Sequence, residues 1–350
     1  MFLGSLSIRS SQAHALRAKL QLSATDPSAL SSPESVIRFR GSNNDIFEDT
    51  ISSYTHRAHW TPVVSGELMV IEIQLPSTVS PSQFTLSVSN IAHITHSISD
   101  TLDKKISYDF INRSQPCELD VACKKSPTPG FVNASNAVAR MIVSDDMFSY
   151  LCSGTLLNNN NEPIKALFYT ATHCIQNHDV AESLQTYWFY QRKECSKDSA
   201  IKDVVTLTGG AKLLYANNTT DIALLELNYP PPVGAYYAGW NAEPITEANT
   251  LQVTGLHHPR GDVKKYSLGT LQNLAVIVDG QHIFYQVKWS AGMTEEGSSG
   301  SGLFIPDETG DYLLRGGLYG GNASSCSVNT GFDYYSRLSD GFKKIKRFLK

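Results

Sequence analysis

An all-β fold in two parts is what this chain predicts, and three observations predict it. Short apolar–polar alternations recur along the sequence, clusters of Gly, Pro and Asn separate them, and all six cysteines fall after residue 116. A length of 350 residues fits about two domains of roughly 150 residues each. Residues 1–110 hold no cysteine and are rich in Ser and Thr. Within them "ALRAKLQLS", "ELMVIEIQLP" and "FTLSVSNIAHI" alternate with a period of two and read as strands, and "PSTVSPSQ" reads as a turn-rich break. This part is expected to be a small β-sandwich.

Residues 105–130 show no clear period and read as a connector pinned by disulfides. From about residue 131 strands recur, among them "CSGTLLN", "ALFYTATHC", "QTYWFYQ", "DIALLEL", "LQVTGLHH", "IFYQVKW", "SGLFIP" and "LLRGGLYGG". Many short strands with turn residues between them indicate a sandwich or a barrel. Only "SDGFKKIKRFLK" at the C-terminus reads clearly as helix, with Ser339 as its N-cap and Phe342, Ile345 and Phe348 or Leu349 on one face. Its basic residues are expected on the solvated face of a docked terminal helix.

Composition narrows the function. The formal net charge is −4, which gives no sign of the basic domain a nucleic-acid partner needs. No stretch reaches the roughly 18 apolar residues of a membrane helix, so no membrane partner is expected. The N-terminus, "MFLGSLSIRSSQAHALRAKL", lacks the apolar core of a signal peptide. The even cysteine count nevertheless fits three disulfides and an oxidising compartment, and no C-x2-C pair suggests zinc. Two readings reconcile these facts: the chain begins downstream of its true start, or export uses another route.

Three stretches carry chemistry. In "FYTATHC", His173 ends an apolar strand; alone, such a histidine is most often structural. In "NNTTDIALLEL", Asp221 follows a polar turn and opens an apolar strand; a half-buried carboxylate there needs a donor, and a histidine N–H is one candidate. In "EEGSSGSG", Gly297 and Gly300 flank Ser298 and Ser299. A nucleophilic serine needs a base and backbone N–H groups converging on the developing oxyanion, and glycine permits the tight turn that converges them. Each stretch alone has a plainer reading as a turn. Together they follow the order His, Asp, Ser of chymotrypsin-like enzymes.

These three motifs resemble those of trypsin-like serine proteases with the chymotrypsin fold and, within them, bacterial lysyl endopeptidases of the Achromobacter protease I type. "CELDVAC", "CSGTLLNN", "YWFYQRKEC", "YYAGWN", "LHHPRGDVKKYS", "VKWSAGMTEEGSSGSG" and "GGNASSCS" follow in the family's order, so the resemblance spans residues 117 to about 340. It implies a chymotrypsin-like double β-barrel over residues 111–350 with a short C-terminal helix. It makes His173 the general base, Asp221 its orienting carboxylate and Ser299, not Ser298, the nucleophile. The N–H groups of Gly297 and Ser299 would form the oxyanion hole, and no cofactor is needed. "NTGFDYYSRL" matches the stretch that carries the specificity-pocket aspartate, which places Asp333 there and implies cleavage after a basic residue. Tyr319 and Gly320, in "GLYGG", line the substrate cleft. Tyr319 is a departure: the family often has a histidine there, stacked on a tryptophan, and none is evident near "LAVIVDG".

The resemblance also implies the pairings Cys117–Cys326, Cys123–Cys195 and Cys152–Cys174. His257 and His258 have no H-E-x-x-H context and read as a structural loop rather than a metal site. "HWTPVVSGELMVIEIQLP" resembles the end of the family's pro-region, which makes residues 1–110 a propeptide whose first strands and signal peptide would lie outside this chain. Removal is expected before Cys117, with Lys104, Lys105 and Arg113 as candidate cut sites. The product would be a secreted, monomeric serine endopeptidase acting on proteins or peptides. Three alternatives stay open: a non-catalytic binding protein on the same fold, a glutamyl-type endopeptidase, and a first domain retained for binding.

Overall fold

The structure, a computed structural model, describes residues 2–26, 30, 32, 34–42, 45–77, 80–95, 112–249, 251–280, 282–322, 326 and 331–350. Two compact units divide the chain, one within residues 1–109 with 144–149, the other within 110–143 and 150–350.

Among its described residues the first unit has eight strands: β1 (Phe2–Arg9), β2 (Ala15–Ala24), β3 (Val36–Arg40), β4 (Ile46–Thr50), β5 (His59–Trp60), β6 (Val64–Ser65), β7 (Leu68–Leu75) and β8 (Phe84–Ile94). One sheet runs β1-β7-β3-β4; in the other β2 pairs with β5, β6 and β8. Strict alternation in β7, where every second residue is buried, turns Met69, Ile71, Ile73 and Leu75 inward. They meet Leu16, Ala18, Leu20 and Leu22 of β2 in one shared core. Two sheets sharing a core make the expected sandwich.

The second unit begins with β9 (Leu119–Asp120) and helix α1 (Pro129–Ala137). Its first sheet uses β10 (Val138–Ser144), β11 (Ser149–Leu157), β12 (Leu167–Thr170), β13 (Gln185–Trp188), β14 (Val205–Leu207), β15 (Ala211–Asn217) and β16 (Ile222–Leu227), in the order β14-β13-β10-β11-β12-β16-β15. The short helix α2 (His178–Glu182) lies between β12 and β13. Met141, Leu156, Phe168, Trp188 and Leu225 share the core of this sheet.

The second sheet uses β9, β17 (Gln252–His257), β18 (Lys265–Val278), β19 (His282–Ala291), β20 (Gly302–Pro306), β21 (Tyr312–Gly321) and β22 (Asp333–Tyr335), in the order β17-β20-β21-β22-β19-β18-β9. A further β17–β18 pairing closes β17, β20, β21, β22, β19 and β18 into a ring, with β9 attached to β18 outside it. Leu157, Tyr169 and Leu224 of the first sheet pack with Leu256, Phe304 and Leu314 of the second in one core. This is the chymotrypsin-like double-barrel plan expected from the sequence.

Helix α3 (Leu338–Leu349) closes the chain and docks Leu338, Ile345 and Leu349 into that core, leaving Lys343, Lys344, Lys346 and Arg347 exposed. The expected N-cap needs correction. Arg337, not Ser339, stands at the cap, because the helix starts early enough to bury Leu338, and the Arg337 guanidinium pairs with Asp340 in the first turn. Helices α1 and α2 also arise where the sequence was read without helix. Thr128 accepts from the Phe131 N–H and Pro129 follows it at the first helical position, which is a start signal hidden inside a connector. All three disulfides have the expected pairing: Cys117–Cys326, Cys123–Cys195 and Cys152–Cys174. Among the described residues no helix is long and apolar enough to cross a membrane.

Candidate active site

The first sheet brings His173 and Asp221 together. Antiparallel pairing of β12 with β16 sets Thr170 opposite Ala223, so the turn after β12 lies beside the turn before β16. Asn217 shapes the second turn by accepting the Thr220 N–H at 2.9 Å. Thr172 staples the two together: its Oγ1 donates to the Ile222 carbonyl at 2.8 Å and accepts the Asn217 N–H at 3.0 Å. Asp221 then turns back in the left-handed region, at φ 52°. One carboxylate oxygen accepts the His173 main-chain N–H at 2.9 Å, and the other lies 2.8 Å from His173 Nδ1. Asp221 is 3% exposed, so its charge depends on these bonds, whereas the His173 side chain is 36% exposed and can meet a substrate. With Nδ1–H donated to Asp221, Nε2 carries the lone pair.

The second sheet supplies the serine loop between β19 and β20. Gly297 and Gly300 both take positive φ, 85° and 76°. Gly300 also approaches the first sheet so closely that a side chain there would collide with Thr170 and the Ser153 backbone. Ser153 ties the loop down: its N–H donates to the Ser299 carbonyl at 2.8 Å and its Oγ to the Gly297 carbonyl at 3.0 Å. Its neighbour Cys152 is bonded to Cys174, the residue after His173. A short covalent and hydrogen-bonded path therefore links the two turns. Sequence reasoning quoted Ser153 inside "CSGTLLN" and gave it no role; the signal available was its place beside a cysteine.

Ser298 and Ser299 face different ways. Ser298 is fully buried and Ser299 is half-exposed. The N–H groups of Ser298, Gly300 and Ser301 donate to Glu295, Leu318 and Ser298 carbonyls. Those of Gly297 and Ser299 take no partner among the described residues, which leaves two donors free on either side of Ser298.

Asp333 opens β22, between Val287 of β19 and Gly321 of β21. It is 1% exposed, and its Oδ2 accepts from Trp289 Nε1 at 2.5 Å and Thr294 Oγ1 at 2.7 Å. Burial pushes its carboxyl up to about 6, with the Thr294 and Trp289 bonds pulling the other way. Thr294 leads directly into the serine loop, so the segment that carries Ser299 also bonds to the buried carboxyl.

Tyr319 stands edge-on to His173, with ring centroids 5.9 Å apart, and donates its hydroxyl to Asp279 at 2.6 Å. Its stacking partner is Phe284 of β19, at 4.6 Å and 21°, with His282 next at 6.1 Å. The search near "LAVIVDG" was on the neighbouring strand, β18. The stack comes from "HIFYQVKW", where alternation along β19 sets His282 and Phe284 on one face. Gly320 faces open space. His257 and His258 are fully buried: His257 lies between the Ser298 and Ser267 hydroxyls, and His258 Nδ1 donates to the Asp262 carbonyl at 2.9 Å. Among the described residues no group of His, Cys, Asp and Glu could hold a metal ion. Lys104 and Lys105 lie outside the described residues; Arg113 is described and half-buried.

Comparison with known proteins identifies a family. Residues 111–336 match the family model for the lysyl endopeptidase C-terminal domain, and residues 2–95 match that for the lysyl endopeptidase N-terminal domain. A lysyl endopeptidase of Pseudomonas aeruginosa is 39% identical over 351 residues, which is 98% of this chain and 74% of that protein. Secreted RxLR effector protein 73 of Plasmopara viticola is 26% identical over 224 residues, 59% of this chain and 48% of that one. Two structures of the HtrA-type protease AlgW with a tripeptide are each 16% identical and cover 62% of both chains, with TM-scores of 0.43 and 0.42.

Proposed function

The chain belongs to the lysyl endopeptidase family and is a serine endopeptidase, and we propose that it cuts after basic residues with Ser299 as nucleophile. The observation that carries this reading is the two-point grip of Asp221 on His173, through ring and main chain at once. That grip fixes the tautomer and aims Nε2 away from the carboxylate. As the Ser299 oxygen bonds to the peptide carbonyl carbon, its proton passes to Nε2 and the carbonyl electrons move onto oxygen. The Gly297 and Ser299 N–H groups receive that oxyanion. Collapse breaks the C–N bond, and His173 returns the proton to the leaving amine. Water then repeats the sequence, releases the acid and restores Ser299. Ser299, His173 and water supply every proton and electron pair in this sequence.

Asp333 is the proposed specificity residue. Its Oδ1 makes no hydrogen bond among the described residues, which leaves an acceptor for a cationic side chain at the substrate position before the cut bond. A buried carboxylate rejects a neutral guest because its charge would then lack a partner. The relative's name points to lysine as the residue chosen.

Residues 1–110 are proposed as a pro-region removed by cleavage at a basic site before Cys117, which makes the chain a zymogen. Three disulfides support export to an oxidising compartment. The test is to mature the protein under oxidising conditions and compare it with Ser299→Ala on peptide amides ending in Lys, Arg, Glu and Phe. Cleavage after Lys or Arg, lost in Ser299→Ala, is the expected result. A protein shown by mass to have lost its first domain, yet inert on all four, would overturn the reading.

A further inference from the structure

We infer that His257 is a positioning residue: through the Ser298 hydroxyl it holds the loop whose Gly297 and Ser299 N–H groups receive the oxyanion. The inference rests on the reading of Ser299 as nucleophile. It also gives the first serine of the "GSSG" pair a task distinct from the second.

The hydrogen bonds fix every proton in the chain. Ser267 Oγ donates to the Met293 carbonyl at 2.7 Å, so it has only lone pairs left for His257 Nε2, at 3.1 Å. The ring must therefore carry its proton on Nε2. Nδ1 is then an acceptor, and Ser298 Oγ, 2.9 Å away, donates to it. A lone pair of Ser298 Oγ in turn receives the Glu295 N–H at 3.2 Å. No member is left choosing between two orientations. Burial, helped by Lys265, pushes the His257 ring down to about 3, which agrees with the neutral ring that the hydrogen bonds require. Glu118 lies 3.9 Å from Nε2, and its own burial pushes its carboxyl well above the usual range.

The chain ends where the reaction needs rigidity. Ser298 donates its N–H to the Glu295 carbonyl and accepts the Ser301 N–H, so its main chain and side chain are both committed. The residues on either side of it carry the two unpaired N–H groups. The peptide between Ser298 and Ser299 carries the Ser299 N–H; turning it would swing that donor away, and the His257 bond opposes that turn, while the peptide that carries the Gly297 N–H is held through the Glu296 carbonyl, which accepts the Arg260 N–H. His257 itself is held by β17, between Lys265 of β18 and the end of β20. The far side of the loop is gripped independently, since Glu295 accepts the Gln115 N–H at 2.8 Å and pairs with Arg260 at 2.7 Å.

The experiment compares the matured protein with Ser298→Ala and His257→Asn. Ser298→Ala should lower kcat on a lysyl peptide amide by roughly ten- to a hundredfold, less than the loss of a whole oxyanion donor, and change KM by less than about threefold. A lysyl peptide boronate, which forms the tetrahedral adduct, should lose affinity by the same factor as kcat/KM, while butylamine bound at Asp333 should not. His257→Asn keeps an acceptor where Nδ1 stands and should lose less than Ser298→Ala; a loss ten times larger in a protein with an unchanged melt would overturn the inference. A fluorophosphonate probe separates the two readings. No label on Ser299 in the unmutated protein overturns the nucleophile and this inference together. Label on Ser299, with Ser298→Ala within about twofold of the parent in kcat, overturns this inference alone.

Discussion

His173, in the turn after β12 of the first sheet, and His257, on β17 of the second, both belong to the proposed machinery, and they differ in burial and in partner. His173 is about one-third exposed and leans on a carboxylate; His257 is fully buried between two hydroxyls. In the proposed mechanism the carboxylate stabilises the imidazolium that would form as Ser299 gives up its proton. Two hydroxyls in a dry interior stabilise only the neutral ring, so the buried one keeps its proton where it is. On the proposed reading the first sheet holds the group that moves a proton, and the second holds the N–H donors that stay fixed.

The sharpest way to break this comparison is to take the charge from the first sheet. Asp221→Asn keeps the turn but offers the ring an amide, and kcat on a lysyl amide should fall by roughly 10⁴ with an unchanged melt. A loss below about tenfold would mean that Asp221 does not govern the base. Asp333→Asn comes next: kcat/KM for a lysyl amide should fall by roughly a thousandfold, while that for a norleucyl amide should hold or rise.

A smaller effect concerns pH. A raised carboxyl is neutral below its pKa, so a cationic guest finds its partner only as the proton leaves. The ratio of kcat/KM for lysyl over norleucyl amides should therefore climb as pH passes upward through about 6, by up to roughly tenfold per unit below that point, and then level off. Taking the ratio cancels any pH dependence that both substrates share. A flat ratio between pH 5 and 7 would detach Asp333 from substrate recognition. The smallest effect belongs to Tyr319→Phe, which removes the bond to Asp279 and keeps the stack on Phe284. Asp279 is exposed, so kcat/KM should change by no more than about threefold.

Much of this was legible in the residues. The apolar strands that end at His173 and begin at Asp221, and the glycines that bend the serine loop, are short-range signals with short-range causes. Phe284 was missed because a stacking partner across a barrel is set by strand register, which no local pattern reveals. Ser153 was missed for the same reason, since its work is done on a loop far along the chain. The helix at 129–137 was missed because its Thr128–Pro129 start signal sat in a segment without period, and its buried face forms only against Tyr266 and Tyr312 of the second sheet. Ser298 was set aside in favour of Ser299 and given no role of its own; its bond to His257 depends on the fold that brings β17 beside the serine loop.

The left-handed backbone of Asp221 bears on how this site can drift between generations. Asparagine and glycine, each one base change from aspartate, accept that conformation but carry no charge. Glutamate, also one base away, keeps the charge but sets a longer side chain on a backbone that it rarely adopts. No single-base step from position 221 keeps both the turn and the anion, so lineages that leave this aspartate should do so abruptly, by losing activity, rather than by gradual replacement.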